Sequence, residues 1–588
     1  MSGLCGLIDF GAGFRGKKLA SLIAQMQHAM IHRGFERESG WMNAQTQVAL
    51  SDCHLLTSQT ATLANSGAQI QIVYDGDSLA SARGDAPESN PHSPALTELA
   101  RVFEDPTKSP IAALRAIETP FALALWNDRL KKLLLARDFF NAKPLYFATG
   151  RGWFAFASEL RALKVIPGFD TTLDPDAIAE YLLVGGVVAP RSIYKGAQKV
   201  CPGGFVELDC AALMASASLT SIRESDPAAS GVMTVLAPMC PELYSSIFHN
   251  THNEHDSQFS QPPRARTNLA QLTLAEQSEL LRRALLESLQ QTRFHSSSAY
   301  VMRTNAPIDT ILAAMCRLEL QLETHICAVA DPFYVDNAAL FNEISRHIGA
   351  SEHDGEPLDD FSELLNRVAS ALDEPIGSLD SLSLNATAAF TRMNFSHALC
   401  GTSVGATART TPTELIADTS QRRNFGNATA SPVELLRSDH ALLNQICAHN
   451  SLSVATPFLN QQVAALMSAP VAGLMVGHSN PFIRAKSSKQ SLDINRGVLV
   501  HALRRYLPEV LITRIMHVNH VNISPRTEQS LMQLSESMLF DAQSQVGQLT
   551  NRIALRGVLA SPTSTPNENL ARRWSLLVLE SWLRRQTA

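Results

Sequence analysis

The sequence predicts an α+β N-terminal domain built from stacked antiparallel sheets, followed by an α/β domain with a parallel sheet and a helical C-terminal extension. Three observations predict this arrangement. The chain has 588 residues, which is too long for one hydrophobic core and implies two or three domains. Short apolar or alternating runs dominate residues 1–209. After Leu269, such runs alternate with segments that carry apolar residues at helical spacing.

Residues 1–209 contain four short runs that are bounded by turn residues and predict strands. The predicted strands are Ile70–Tyr74, Phe121–Trp126, Lys132–Ala136 and Trp153–Ala157, and the predicted helices are Gly16–Ile31 and Ser93–Phe103. Strands in series with few helices are typical of a layered domain that is built around antiparallel sheet. We therefore assign residues 1–209 to one domain.

Residues 210–268 lack periodicity and are dominated by Ser, Thr, Pro, His and Asn, which predicts a linker or an insertion. His249, His252, His255 and Asp256 have a spacing that could place metal ligands on one helix face. Nothing apolar nearby would hold these ligands rigid, so we interpret them as part of a solvated polar linker. No metal site is predicted.

Residues 269–588 contain segments with helical periodicity and two short apolar runs that we interpret as parallel strands. The helical segments are Leu272–Leu289, Asp309–Leu320, Asn337–Ile348, Leu358–Leu372 and Gly497–Tyr506, and the strand-like runs are Ala299–Met302 and His325–Val329. Strands that alternate with helices predict a doubly wound α/β domain, which continues into a helical extension.

The composition excludes several classes of function. The net charge of −6 gives no basic patch for nucleic acid or for an anionic membrane. The longest apolar stretch, Ile178–Ala189, contains Glu180 and two glycines and is too short to cross a bilayer. The N-terminus has no basic region followed by an apolar run, and the nine cysteines form no CxxC pair. We therefore expect a cytoplasmic protein without a disulfide framework.

Short strings along the chain resemble a known family. Ser2–Phe10, SGLCGLIDF, is similar to the opening of class II glutamine amidotransferases, and His32–Gly34 resembles their His-Arg-Gly-Pro-Asp segment. Further strings follow in the same order and spacing: Phe121–Asn127, Ala136–Asp138, Lys143–Tyr146, Phe156–Leu160, Leu173–Pro175, Glu180–Leu182, Pro190–Tyr194, Pro202–Gly204, Asp373–Pro375, Pro457–Leu459 and Leu503–Glu509. Together they resemble the glutamine-dependent asparagine synthetase family over nearly the whole chain except residues 210–268.

The resemblance implies an N-terminal glutaminase domain with an Ntn-hydrolase-like fold and a C-terminal synthetase domain. In the family, the synthetase adenylates aspartate with ATP, and ammonia passes to it from the glutaminase. Relatives use the same scaffold for β-lactam closure or for macrolactam formation. Because family members commonly dimerise, the resemblance also implies a homo- or hetero-oligomer, with an active relative or a biosynthetic partner as candidates for a second subunit.

The glutaminase centre departs from the family pattern at its nucleophile. The family uses an N-terminal Cys, whereas alignment without gaps places Ser2 there and puts Cys5 on the first strand. A hydroxyl has a far higher pKa than a thiol, so this exchange lowers activity unless the site is rebuilt.

The expected glutamine pocket is also altered. The family's Asn-Gly-Glu string becomes Asp75, Gly76 and Asp77, which exchanges an amide donor for a carboxylate that only accepts hydrogen bonds. The strand that should carry a substrate-binding Arg ends in His54. These four residues are the expected remnants of the glutamine site.

The synthetase centre has lost the residues that hold nucleotide and metal. The family's Ser-Gly-Gly-x-Asp-Ser loop becomes Asn305–Thr310, in which Pro307 removes a backbone donor. The family's acidic string becomes Gly401–Ala406 without a carboxylate, so nothing there offers Mg²⁺ a hard oxygen ligand. In the C-terminal Arg-x-Lys region Arg514 remains, but the lysine does not.

Three functional readings follow. The first is a catalytically degenerate pseudoenzyme that acts as a partner or scaffold subunit and needs no cofactor. The second is an active ATP-dependent amide-forming ligase that uses ATP and Mg²⁺ in a rebuilt site, with Ser2, Asp309 and Arg514 as catalytic candidates and Asp373 and Glu374 as substrate-binding candidates. The third is a binding protein that retains a pocket without turnover. These residues also have a structural explanation: Asp309 as an acid in the first turn of a helix, and Asp373 and Glu374 as a helix end that precedes a proline.

Overall fold

The computed structural model of the chain describes residues 2–11, 13–14, 16–34, 39–45, 47–54, 70–76, 94–105, 107–211, 233–236, 272–292, 298–303, 306–329, 338–355, 360–401, 432–468, 497–516, 525–550, 552–559 and 566–587.

Two antiparallel sheets form the N-terminal domain. The first sheet has the strand order β2-β3-β1-β8-β7-β9 and the second has the order β11-β10-β6-β5-β4. The strands are β1 (Ser2–Asp9), β2 (Ser39–Asn43), β3 (Val48–His54), β4 (Ile70–Gly76), β5 (Phe121–Asn127), β6 (Lys132–Arg137), β7 (Tyr146–Gly150), β8 (Trp153–Ala157), β9 (Ala197–Lys199), β10 (Phe205–Asp209) and β11 (Met233–Leu236). The four strands that the sequence predicts in this region are confirmed.

The two sheets pack face to face, and the side chains of β1 point alternately into the core between the sheets and into the core on the other side. Leu4 and Ile8 point into the core between the sheets, whereas Cys5 and Leu7 belong to the core on the other side of the first sheet. Each strand places successive side chains on opposite faces, so a strand that is covered on both faces is buried along its whole length. All eight residues of β1 are buried for this reason.

Helices cover the outer faces of both sheets, and they are α1 (Lys17–Ala29), α2 (Pro94–Phe103), α3 (Ile111–Arg115), α4 (Leu160–Lys164) and α5 (Pro175–Val184). The sequence fixes the limits of α5 locally. The Asp174 side chain accepts a hydrogen bond from the backbone N–H of Asp176, Pro175 stands at the first position, and Gly185 ends the helix with φ of 77°.

The C-terminal domain contains a sheet of five parallel strands in the order β14-β13-β12-β15-β16. The strands are β12 (Ser298–Met302), β13 (Glu323–Val329), β14 (Ser351–Gly355), β15 (His397–Cys400) and β16 (Ser453–Ala455). The strand order reverses between β12 and β15, and open α/β sheets bind ligands at the carboxyl ends of the strands beside such a reversal. The predicted doubly wound domain is confirmed.

Helices pack on both faces of this sheet and continue to the C-terminus. They are α6 (Leu274–Gln291), α7 (Ala306–Leu318), α8 (Ala338–Ile348), α9 (Phe361–Ala371), α10 (Asp380–Asn394), α11 (Pro432–His449), α12 (Gln461–Ser468), α13 (497–503), α14 (Glu509–Met516), α15 (Pro525–Leu539), α16 (Gln545–Leu549), α17 (Arg552–Leu559) and α18 (Pro566–Thr587). The five helices that the sequence predicts here are present, with ends within a few residues. No helix in this described part of the chain is long and apolar enough to be a candidate membrane span.

The segment predicted to be a linker contributes one strand to the N-terminal domain. Met233–Leu236 forms β11 and pairs antiparallel with β10 at the edge of the second sheet. The residues on either side, 212–232 and 237–271, lie outside the described residues, and so do His249, His252, His255 and Asp256.

One hydrophobic core extends across the two domains. It includes Cys5 and Leu7 of the first sheet, Leu442 of α11 and Trp574 and Leu577 of α18. The outer face of the first sheet therefore packs against helices of the C-terminal domain. This shared core brings the N-terminal end of β1, where the glutaminase centre is expected, close to α11.

Candidate functional site

Ser2 begins β1 and lies opposite His54 of β3 in the antiparallel register. Only 2% of Ser2 is exposed, so the candidate nucleophile lies beneath the protein surface. The side chain of Arg33 packs over the adjacent Gly3, where an added Cβ would come within 2.7 Å of Arg33 Cδ. Glycine at position 3 therefore leaves room for the arginine to reach Ser2.

Arg33 is completely buried and joins several parts of the molecule. Its Nη1 donates to the carbonyl oxygen of Ser2 at 3.1 Å, and its Nη2 donates to Asn444 Oδ1 of α11 at 3.0 Å. Its Nε donates to Glu159 Oε1. A guanidinium has five N–H donors in a rigid plane, which allows one side chain to serve this many partners. Arg33 thus links the Ser2 end of β1 to the C-terminal domain.

Glu159 is the main anionic partner in this cluster. It accepts from His32 Nε2 at 2.9 Å and pairs with Arg161 Nε at 2.8 Å, in addition to its contact with Arg33. Burial acts to raise the pKa of Glu159, but the charges of Arg33, His32 and Arg161 outweigh it and hold that pKa well below the ordinary value. Glu159 is therefore ionised at neutral pH.

Asp75 lies on β4 and is completely buried beside two cations. Its carboxylate oxygens lie 3.8 Å from Arg33 Nη1 and 3.6 Å from Lys143 Nζ. Neither oxygen has a hydrogen-bond partner among the described residues. The carboxylate that replaces the family's amide is thus balanced by the charges of Arg33 and Lys143.

The remaining expected pocket residues are only partly placed. Gly76 ends β4, and an added Cβ there would come within 2.1 Å of the Tyr74 hydroxyl, so a larger residue would require the Tyr74 side chain to move. Asp77 lies outside the described residues, and for His54 only the backbone position on β3 is described. Their role in binding a substrate stays a prediction.

Asp373 follows helix α9 and contacts the N-terminal domain. Its carboxylate accepts from the backbone N–H groups of Leu160 and Arg161 at the start of α4, the second at 3.0 Å. Its own N–H donates to Gln445 Oε1 at 2.9 Å. The helix end predicted before Pro375 is present, because α9 ends at Ala371. The Asp373 carboxylate therefore occupies the N-terminus of a helix in the other domain.

Glu374 also contacts the N-terminal domain. Its carboxylate accepts from the N–H of Ile193 at 2.6 Å, from the Tyr146 hydroxyl at 3.1 Å and from Lys199 Nζ at 2.5 Å. Both acids of the Asp373–Glu374 pair thus serve contacts between the domains. Sequence reasoning did not find this role, and the substrate-binding role expected for the pair stays a prediction.

The pKa of Asp373 gives a prediction about pH dependence. Burial raises this pKa from 3.8 to about 6, with a further contribution from Glu159, while Arg161 acts to lower it. An acid whose pKa is higher in the folded state stabilises the fold below its unfolded pKa and loses that contribution as the pH rises through the folded value. We expect the free energy of unfolding of the wild type to decline between about pH 4 and pH 7 relative to that of Asp373→Asn.

Urea unfolding at pH 4, 5, 6 and 7 measures this difference. Asp176→Asn, at an exposed position on α5, is the matched control and should parallel the wild type at every pH. Identical pH profiles for Asp373→Asn and the wild type would show that Asp373 titrates alike in the folded and unfolded chains.

Asp309 lies at the reversal of strand order in the parallel sheet. It stands in the first turn of α7, and its Oδ1 accepts from the N–H of Gly401, just after β15, at 2.7 Å. A Cβ on Gly401 would come within 2.2 Å of this oxygen. Pro307 is buried at the second position of α7, as expected for a strand-to-helix turn with proline near its start. The rest of the expected acidic string, from Thr402 onward, lies outside the described residues.

Arg303 directly follows β12 and contacts the two strands on one side of it, β13 and β14. Its backbone N–H donates to Cys327 O at 2.9 Å, and its guanidinium pairs with Glu352 and, at 3.3 Å, with Asp354 of β14. The guanidinium also lies 4.1 Å from the ring centroid of Phe341. The Arg303 side chain thus lies on the β13 and β14 side of β12, away from the reversal between β12 and β15.

Arg514 lies on α14 and pairs with Glu343 of α8 at 2.6 Å. Both side chains are about half exposed, with 45% for Arg514 and 48% for Glu343. The recorded contact of Arg514 is therefore a surface ion pair, and its catalytic role stays a prediction. No group of three or more His, Cys, Asp or Glu side chains within the described residues could hold a metal ion.

Two family models match this chain, one in the region of the antiparallel sheets and one in the C-terminal domain. A model described as a glutamine amidotransferase domain matches residues 96–217, and a model described as asparagine synthase matches residues 409–584. The first match contains β5 to β10 of the antiparallel sheets. The second contains the helices from α11 to the C-terminus.

Named relatives agree with these matches. Proteins of Mycobacterium tuberculosis and Mycobacterium bovis that carry the name of a glutamine-hydrolysing asparagine synthetase are 27% identical over 240 residues, covering 35% of this chain and 35% of theirs. Asparagine synthetase (glutamine-hydrolysing) 1 of Bacillus subtilis is 36% identical over 83 residues, covering 14% of this chain and 13% of its own. The chain therefore matches about a third of the length of the first relatives.

A comparison of folds returns a weaker similarity. The Bacillus subtilis glutamine phosphoribosylpyrophosphate amidotransferase in complex with ADP and GMP is 11% identical, covers 60% of this chain and 81% of its own, and has a TM-score of 0.27, which is too low to carry an argument. The assignment depends instead on the two matched domains, their order along the chain and the relatives that share their name. These findings support the asparagine synthetase family, to which the chain is similar in both matched segments and in their order.

Proposed function

We propose that this asparagine synthetase-like protein is a catalytically degenerate member of its family and acts as a partner or scaffold subunit in the cytoplasm. The observation that carries the proposal is the buried ion cluster at Ser2. Arg33 holds the Ser2 carbonyl, pairs with Glu159 and lies beside Asp75, and all of these groups are buried. Within this cluster Ser2 and Asp75 stand where the family has a Cys nucleophile and an amide.

The chemistry of the cluster supports the same proposal. Amide hydrolysis passes through a negatively charged tetrahedral intermediate, which needs hydrogen-bond donors directed at its oxygen. Asp75 stands where the family has an amide donor, and it offers no such amide N–H. The hydroxyl of Ser2 is also a weaker nucleophile than a thiolate at neutral pH. The two changes reinforce each other.

The first test measures glutamine hydrolysis. We expect purified protein to release no glutamate above the rate of a Ser2→Ala variant, because the nucleophile and the amide donor of the glutamine pocket are both changed. A coupled glutamate dehydrogenase assay over several hours gives the measurement, with a Cys-dependent amidotransferase as the positive control. Steady glutamate release that disappears in Ser2→Ala would overturn the proposal for this domain.

An active ligase is the second candidate, and the position of Asp309 favours it. Asp309 stands at the reversal of strand order, where a doubly wound sheet binds its ligand. In this candidate the protein binds ATP and Mg²⁺ and forms an amide, a lactam or a macrolactam. The two candidates differ most sharply in nucleotide binding.

The proposed role as a subunit implies a homo- or hetero-oligomer. The family resemblance supports dimer formation, and an active relative or a biosynthetic enzyme is the proposed partner of a hetero-oligomer. Light scattering on the purified protein, alone and after coexpression with an active synthetase, tests this part. A single chain that remains monomeric in both experiments would contradict it.

A further inference from the structure

A small cavity lies between the two domains, apart from Ser2 and from the carboxyl ends of the parallel strands. Arg137 and Lys199 of the N-terminal domain line it, together with Glu374 and Gln445 of the C-terminal domain. Its volume is about 50 Å³. A water needs roughly 10–15 Å³ on this measure, so the cavity has room for about three to five waters or a ligand of similar size.

Arg137 is the unusual group in the wall of this cavity. It is 1% exposed, yet its recorded hydrogen bonds go to two neutral oxygens, Val200 O at 3.0 Å and Asn141 Oδ1. Its Nε has no hydrogen-bond partner among the described residues, and no carboxylate within them forms an ion pair with Arg137. Burial lowers the pKa of this guanidinium, which is the signature of a desolvated cation.

The nearest acids are already committed to other partners. Glu374 accepts from Lys199 Nζ at 2.5 Å and from the Tyr146 hydroxyl at 3.1 Å. Asp138 accepts from the N–H groups of Phe140 at 2.7 Å and Lys143 at 2.9 Å. Lys199 and Glu374 compensate each other at the cavity, whereas the carboxylate that acts most on the Arg137 charge, Asp138, does not line the cavity.

A buried charge without a close counter-ion is costly, and a bound anion would offset that cost. We propose that the interdomain cavity binds a small monovalent carboxylate of two or three carbons, whose oxygens accept hydrogen bonds from Arg137. The apolar part of such a ligand fits against Val187 and Ile376, which line the same cavity. Of the candidate site residues only Glu374 lines this cavity, and neither Ser2 nor Asp309 does.

Binding at this site would also strengthen the contact between the domains. The cavity wall includes Pro375 and Ala441 from one domain and Pro202 from the other, so a ligand contacts both at once. A ligand that binds only the folded and assembled protein shifts the unfolding equilibrium toward that state. The site therefore couples the concentration of a small acid to the stability of the interface.

Calorimetry on the full chain tests the proposal with sodium acetate as the probe. Sodium gluconate at equal ionic strength is the reference anion, because gluconate is too large for the cavity. We expect a saturable heat with acetate and none with gluconate. Arg137→Gln should weaken acetate binding at least tenfold, whereas Arg151→Gln, an exposed arginine of the same domain, should bind acetate like the wild type.

A second variant keeps the test decisive if Arg137→Gln does not fold. Ala441→Leu fills the cavity from the α11 side and leaves every charge in place. We expect it to fold, as judged by circular dichroism, and to lose the acetate heat. Equal heats for acetate and gluconate in the wild type, or unchanged acetate binding in either folded cavity variant, would overturn the proposal. Neither result affects the glutamine assay.

Discussion

Replacing Arg33 with methionine is expected to lower the free energy of unfolding by about 3–5 kcal/mol, the usual cost of removing one partner from a buried ion pair. The arginine is completely buried, pairs with Glu159 and donates to Ser2 and Asn444. Methionine fills much of the same space, so loss of charge and of hydrogen bonds dominates over loss of packing. Urea unfolding at pH 7 gives the measurement.

The same variant should change the response to acid. In the wild type the pKa of Glu159 is lower in the folded state than its ordinary value of 4.5. Glu159 therefore contributes stability that is present above that value and is lost as the pH falls through the folded pKa. Without Arg33 this acid-dependent loss should shrink. Arg151→Met, at an exposed position, is the matched control, and equal losses in the two variants would contradict a role for the buried network.

Mg-ATP is expected to produce no binding heat at concentrations up to about a millimolar. A phosphate cradle requires several backbone N–H groups that converge on one ligand, and a helix that begins with a proline at its second position offers fewer of them. Each lost charge-assisted contact removes roughly 1.5–3 kcal/mol, so several losses remove most of the affinity. Isothermal titration calorimetry, with an active asparagine synthetase as the positive control, gives the measurement.

Arg303 provides a matched variant for this experiment. Arg303→Ala removes the side chain that extends from the end of β12 to β14 and pairs there with Glu352 and Asp354. We expect this single change not to restore binding, because it returns no phosphate-binding donors. Micromolar binding by the wild type would favour the active ligase, with Asp309 and Arg514 as the first residues to mutate. Binding of Mg-ATP by Arg303→Ala but not by the wild type would instead show that the Arg303 side chain prevents nucleotide binding.

The sequence was sufficient to predict the elements of the fold because local spacing determines them. Phe121–Trp126 and Lys132–Ala136 are short apolar runs between turn residues, and the structure places them side by side as β5 and β6. The alternation of strands and helices after Leu269 likewise predicts the parallel sheet. Covered faces and short connections leave few other arrangements for such a pattern.

The roles of the candidate site residues could not be predicted in the same way, because their partners are distant in sequence. Asp373 accepts from Arg161, 212 positions away, and Arg33 donates to Asn444, 411 positions away. No local pattern records such a pairing. Lys143 is a further example, because its Nζ pairs with the carboxylate of Asp75, a residue far from it in the sequence.

The core that crosses the domain boundary also bears on the evolutionary history of the chain. Cys5 and Leu7 at one end of the sequence share a cluster with Trp574 and Leu577 at the other. A gene divided between the two domains would yield two products, each with an uncovered apolar face that favours aggregation. Substitutions at a catalytic side chain leave this packing intact, whereas substitutions in the shared core threaten both halves together. Selection on folding alone can thus preserve the pair of domains as one gene.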